Sequence, residues 1–273
     1  MQDPAVPASQ GRPAAGGSIF RTVLVGIDET AESLVAAAQA GVLREPGGRL
    51  VLLAVAERHL AVQAGLAAAH AEDELRAATE ADLDHAQELV DADDTVLASG
   101  RLVDVLCREC DRRDASLIVV GVRPHRRVSA LTFGGHEVDA LQDAECSVLI
   151  ARPGWGPHRP QRIVVGVDDS PASRAAEAAA RSLAGRLACE VVPVVSLSGD
   201  VDAATLKAER EDALLDPRSL PDAVVAASSE RSLVVVGREP GHARRRGADL
   251  AERIVYAARC SVLVVRAQAD PAR

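Results

Sequence analysis

The sequence predicts an α/β protein made of two tandem copies of one doubly wound, five-stranded parallel-sheet domain, the second copy shortened. The first observation is an internal repeat. RTVLVGID (Arg21 to Asp28) returns as QRIVVGVD (Gln161 to Asp168), SLIVVGVRP (Ser116 to Pro124) as SLVVVGREP (Ser232 to Pro240), and CSVLIAR (Cys146 to Arg152) as CSVLVVR (Cys260 to Arg266). Three pairs in the same order mark a duplicated domain, and two repeats are too few for a solenoid. The second observation is that the apolar runs are continuous and β-branched, as strands buried on both faces require. The third is that Ala-rich amphipathic stretches separate them, so the connections are right-handed βαβ crossovers.

In the first copy the strands are TVLVGI, RLVLLAV, TVLAS (Thr95 to Ser99), SLIVVG and CSVLIA. Helices are expected after Asp28, with Thr30 or Ser33 as the cap, over about Leu66 to Val90, after Arg101, and over about His136 to Asp143. The second copy shows IVVGVD, EVVPVVSL, SLVVVG and CSVLVV. Its third strand is obscured in LLDPRSLPD, where two prolines interrupt the run. The expected organisation is a disordered tail at 1–18, a first domain at 19–152, a linker at 153–161, a second domain at 162–266 and a tail at 267–273. The linker PGWGPHRPQ carries three prolines and two glycines and is expected to lack regular structure.

Hydrophobic residues make up 48% of the 273 positions but aromatics only 1%, so Val, Leu, Ile and Ala must build the core. A net charge of -9 without a basic stripe argues against nucleic acid and against an anionic membrane surface as the main partner. No apolar run reaches the roughly 18 residues of a spanning helix, and the N-terminal stretch has no apolar signal region. Five scattered cysteines suit a reducing cytoplasm better than a disulfide framework. Cys107 and Cys110 form one CxxC on an expected helix. They read either as half-buried helix positions or as a redox or metal pair, with no second ligand pair to favour the latter.

In an open parallel sheet a ligand sits beyond the carboxyl ends of the strands, at the switch in strand order. With a flavodoxin-like order, Asp28 at the end of strand one and Gly121 at the end of strand four flank that point. Gly134 and Gly135 close the following loop, and glycines at a helix N-terminus leave N–H groups for an anion. The loop is basic, with His125, Arg126 and Arg127 in the first copy and Arg244, Arg245 and Arg246 in the second. The other reading makes the glycines turn residues, the arginines a solvated face, and Asp28 and Asp168 helix caps.

The V-G-x-D first strand, the fourth strand ending in Gly and the C-x-V-L-x-x-R last strand, together in both copies, resemble the universal stress protein family. The resemblance implies a Rossmann-like, adenine nucleotide alpha hydrolase-like sheet of order 3-2-1-4-5. It implies ATP binding, with or without Mg²⁺, through a strand-one Asp, a strand-two Val and the motif G-x2-G-x9-G-[S/T]. Carried over, these positions are Asp28, Val55, Gly121, Gly134 and Gly135 in the first copy, and Asp168, Val194 and Gly237 in the second. The motif departs at Pro124 and Pro240, which replace the second Gly, and at Gly135, which replaces the hydroxyl residue. Proline has no N–H to offer and fixes φ. The closing pair of the second copy falls on Ala248 and Asp249, where a carboxylate would repel phosphate.

The resemblance thus implies a stress-response regulator binding adenine nucleotide chiefly in its first domain. The alternative is an ATP-independent interaction module with degenerate sites. No P-loop lysine, G-x-S-x-G elbow or HExxH motif points to an enzyme. Family members pair through the last strand, so an intramolecular pseudo-dimer through CSVLIAR and CSVLVVR is expected, with further homodimerisation open and the protein partner unknown.

Overall fold

The computed structural model describes residues 19–28, 30–56, 68–122, 144–168, 170–198, 205, 208, 211–239 and 250–267. The first half runs β1 (Thr22–Ile27), α1 (Ala31–Leu43), β2 (Arg49–Ala56), α2 (Ala68–Leu89), β3 (Asp94–Ser99), α3 (Leu102–Arg112), β4 (Leu117–Gly121) and β5 (Ser147–Ala151). The second runs β6 (Arg162–Val167), α4 (Pro171–Leu187), β7 (Glu190–Ser196), β8 (Leu214–Asp216), α5 (Leu220–Ala227), β9 (Ser232–Arg238), α6 (Leu250–Ala257) and β10 (Ser261–Arg266). The expected helix over about His136 to Asp143 lies outside the described residues.

The strands form one sheet of order β3-β2-β1-β4-β5-β10-β9-β6-β7-β8. Each half has the internal order 3-2-1-4-5, and all pairings are parallel except β5 with β10, which run antiparallel through Val148↔Val264, Leu149↔Leu263 and Ile150↔Val262. The missing strand of the second half is β8, only three residues long, in register with β7 through Val194↔Leu214. Pro217 ends it, and Pro221 sits in the first turn of α5, where no intrahelical N–H is needed.

Side chains alternate between two apolar layers. Val23, Val25 and Ile27 face a layer with α1, α2 and α4, while Leu24 faces a layer with α3, α5 and α6. Both layers continue across the β5–β10 junction, since Leu149 and Leu263 share one cluster and Val148 and Val262 the other. The segment expected as a linker carries no helix or strand, yet it is packed. Trp155 is 2% exposed within the first layer, and Gln161 N donates to Arg231 O at 2.9 Å.

Polar groups also tie the halves together. Arg152, 5% exposed, sends its guanidinium to Val255 O at 2.7 Å and Cys260 O at 3.4 Å. Ser261 Oγ bonds Gln39 Oε1 at 2.8 Å. On the α1–α4 face, Arg186 donates to Leu43 O and Arg44 O, each at 2.6 Å. It thereby satisfies carbonyls that the C-terminus of α1 leaves open.

Candidate functional site

The switch point in each half is where strand one parts from strand four. β1 pairs with β4 only as far as Val25↔Val119, although β1 stays paired with β2 through Ile27↔Ala54. In the second half β6 leaves β9 after Val165↔Val235. Two crevices therefore open at the carboxyl ends of the strands, the placement expected for a ligand in such a sheet.

Asp28 lies at the mouth of the first crevice and is exposed. Its Oδ1 accepts from Thr30 N at 3.0 Å and from the Thr30 hydroxyl. Thr30 Oγ1 accepts in turn from Ser33 N at 3.3 Å, capping α1. Asp28 thus shapes the turn into the helix with one carboxylate oxygen. Among the described residues nothing pairs with the other, Oδ2. Val55 is half-buried and, one step beyond the Ile27↔Ala54 pair, stands level with Asp28.

Gly121 has a packing role. A Cβ there would lie 2.3 Å from Glu32 O and 2.8 Å from Ser33 N, because the first turn of α1 rests directly on the end of β4. Gly237 repeats this contact against Ala172 O at 1.9 Å. The same close approach lets the helix N-terminus face the crevice. Gly134, Gly135, Pro124, Pro240, Ala248, Asp249 and the basic residues of both loops lie outside the described residues.

The second crevice differs at its mouth. Asp168 shapes the turn as Asp28 does, with Oδ1 accepting from Ser170 N at 2.8 Å. Val194 does not occupy the place expected of it. It is fully buried and pairs with Gly166, so its counterpart in the first half is Leu53, which pairs with Gly26. The Arg49↔Thr22 and Glu190↔Arg162 pairs fix this register and place Ser196 where the first half has Val55. A shift of two positions preserves the in–out alternation of a strand, so the pattern in EVVPVVS cannot reveal it. Ser196 donates to Arg218 O at 2.7 Å, and its hydroxyl lies 2.7 Å from that of Ser198.

Glu239 is a further difference that the sequence did not flag. Its Oε1 accepts from Ala172 N, in the first turn of α4, at 3.2 Å. An acidic side chain so placed satisfies an open N–H and meets the positive end of the helix dipole. The same place in the first copy's sequence holds Arg123, outside the described residues.

Residues 19–152 match the model described as Universal stress protein family. No curated protein matches the chain in sequence. Among solved structures, a universal stress protein from Archaeoglobus fulgidus DSM 4304 is similar with a TM-score of 0.71 at 15% identity, over 90% of this chain and 96% of its own. A universal stress protein from Pseudomonas aeruginosa UCBPP-PA14, described as putative, is similar with a TM-score of 0.60 at 20% identity, over 90% of this chain and 93% of its own. At these identities the similarity shows the fold. A universal stress protein solved in complex with cAMP also matches, with a TM-score of 0.35 at 21% identity over 49% of this chain and 98% of its own, too slight a likeness to carry its ligand across. The first half is thus a universal stress protein family domain by sequence. The whole chain shares its α/β fold with proteins of that name, and no helix among the described residues is long and apolar enough to cross a membrane.

Proposed function

With residues 19–152 a universal stress protein family domain, we propose that this chain is a stress-response regulator that binds adenine nucleotide, ATP with or without Mg²⁺, in its first half. The second half, read as a second such domain, serves as its scaffold. The observation that carries this reading is the contrast between the two mouths. In the first, Asp28 is exposed, where Asp168 is half-buried, and stands beside a half-buried Val55; its Oδ2, like that of Asp168, has no described partner. A free carboxylate oxygen accepts from an amino or hydroxyl group, such as adenine or ribose offers, and an apolar wall suits a base. In the second mouth a carboxylate, Glu239, already holds a helix N–H, and a hydroxyl replaces the valine.

Such a protein acts in the cytoplasm, by binding rather than by catalysis. The two halves stand to each other as a dimer would, within one chain, through β5 and β10. The ATP-independent reading keeps one specific support: Gly121 and Gly237 are both required by helix packing, so neither is evidence for phosphate.

The test is titration calorimetry of ATP, with and without Mg²⁺, against the nucleotide-free chain, Asp28→Asn and Asp168→Asn. Asparagine keeps the Oδ1 acceptor that the turn uses and turns the other atom into a donor. A hydrogen bond to a charged group contributes about 1.5–3 kcal/mol, so Asp28→Asn is expected to weaken ATP about 10- to 100-fold. Asp168→Asn is expected to leave binding unchanged. Absence of heat with the folded wild-type chain at millimolar ATP would establish the interaction module instead. Recovery of intact triphosphate after long incubation separates binding from hydrolysis.

A further inference from the structure

The first half holds a thiol pair that nucleotide binding does not use. Cys110 lies in the last turn of α3 and Cys146 immediately before β5. Both are 3% exposed, and their Sγ atoms are 3.0 Å apart. Closing that gap to the about 2.05 Å of a disulfide needs a movement of about 1 Å, within reach of side-chain rotation. Cys107, one turn earlier on α3, is half-exposed and packs against the same apolar layer. No cluster of metal-ligating side chains occurs among the described residues.

The second half provides an internal comparison. At the same junction, between the end of α5 and the start of β10, Cys260 is present but the group beside it is the Ser228 hydroxyl, which donates to Val225 O at 2.8 Å. A serine beside a cysteine fills the place while its hydroxyl is satisfied by the helix end, so packing alone does not require two sulfurs there. The first half carries two.

We propose that Cys110 and Cys146 are a redox-active dithiol that hydrogen peroxide converts to a disulfide, stapling α3 to β5. Cys110 Sγ donates to Ala115 O at 3.4 Å and to Cys146 Sγ at 3.0 Å, and hydrogen bonding with Cys110, then burial, pushes the Cys146 thiol well above its usual range, so reaction begins once local opening lets one thiol of the pair ionise. The thiolate so formed attacks one peroxide oxygen, the O–O bond breaks, and the departing hydroxide takes a proton to become water. This leaves a sulfenic acid on that cysteine. The sulfur of the other cysteine then attacks it, the S–S bond forms, the S–O bond breaks, and hydroxide leaves with that cysteine's proton as a second water. Two thiols are oxidised by two electrons and one peroxide is reduced. Peroxide is close to water in size, so local opening of the α3 end suffices to admit it. The closed loop spans a sequence separation of 36 and contains β4 with Gly121. Oxidation therefore ties the end of α3 to the start of β5, with β4, the strand beside the first switch point, inside the closed loop. The inference stands independently of whether ATP binds there.

The test uses the full chain, reduced and then exposed to hydrogen peroxide, with the remaining thiols alkylated after denaturation and the products mapped by mass. The expected result is loss of two of the five free thiols and a cross-linked peptide pair joining Cys110 to Cys146, reversed by dithiothreitol. The apparent melting midpoint is expected to rise by about 5–10 °C on oxidation. Cys110→Ser installs the pairing already present in the second half, and is expected to fold and to keep its four remaining thiols. Retention of all five thiols by the wild-type chain, a Cys107–Cys110 link, or a disulfide between chains would each overturn the proposal. The wild-type map alone decides this if a variant fails to fold.

Discussion

Replacing Gly237 by alanine is the sharpest probe of the contact that builds both crevices. The new Cβ would lie 1.9 Å from Ala172 O and 2.2 Å from its carbonyl carbon, against the 3.4 Å at which ordinary contact begins. Both partners are backbone, so no side chain can rotate away, and the first turn of α4 must retreat by about 1.5 Å. That turn is held by the Ser170 cap and by Glu239 on Ala172 N. The expected cost combines overpacking, about 1–3 kcal/mol, with a weakened cap, about 1 kcal/mol. The total of about 2–4 kcal/mol should lower the urea midpoint by about 1 M. Gly121→Ala, whose Cβ would lie 2.3 Å from Glu32 O, should lose somewhat less. Gly41→Ala is the control. It lies inside α1 with nothing within 4 Å of the new atom, and should gain about 0.5–1 kcal/mol from helix propensity. An unchanged midpoint for Gly237→Ala would refute the close approach of helix to strand.

Three further outcomes follow from the same geometry. Arg152→Met should lower the melting midpoint, since it strips Val255 O and Cys260 O of their buried donor at about 1–3 kcal/mol for each acceptor left unsatisfied; equal stability by calorimetry would remove Arg152 from the junction. Arg186→Met should do likewise at the end of α1, where it opens the carbonyls of Leu43 and Arg44, and hydrogen exchange should show faster exchange confined first to the α1–α4 face. Asp216 is held at about 2, below its usual 3.8, by hydrogen bonds from the Arg218 side chain and backbone. Its stabilisation is therefore present above pH 3.8 and lost as pH falls towards 2. The wild-type chain should melt above Arg218→Met at neutral pH, with the gap closing by pH 2, and a gap that stays constant with pH would refute the pairing.

The α/β class was legible because parallel strands buried on both faces read as unbroken β-branched runs, and because the repeat presents each run twice; the strand order came from the family resemblance, since no run names its neighbour in the sheet. TVLAS proved to be the core of β3, and the long helix expected over about Leu66 to Val90 is α2 at Ala68–Leu89. What was not legible depended on register or on distance through space. β8 has three residues, too few for any period, and Pro217 and Pro221 hide a strand end and a helix start. Val194 was misplaced because a valine run looks the same after a two-residue shift. Trp155 stood in a proline- and glycine-rich segment that reads as linker; its being the only tryptophan was the one signal that it anchors there. Nothing in the sequence brings Glu239 onto the α4 N-terminus or Cys110 to Cys146, since both contacts are made across elements far apart in the chain.

Comparing the halves separates what the fold needs from what a site needs. Features shared by both copies are those packing demands: a glycine at the end of the fourth strand, a carboxylate shaping the turn into the first helix, and a hydroxyl capping it. Such features persist in a scaffold and say nothing of a ligand. Features that differ lie at the mouths, Val55 against Ser196 and, among the described residues, a glutamate bound to a helix N-terminus in the second half alone, and at the opposite edge of the sheet, Cys110 beside Cys146 against Ser228 beside Cys260. Joining β5 to β10 covers two apolar strand edges that would otherwise invite association. The second copy meets that need by folding alone, whatever happens at its crevice. Its mouth is thus free to close with local polar contacts, as Glu239 does on Ala172 N and Ser196 on Arg218 O.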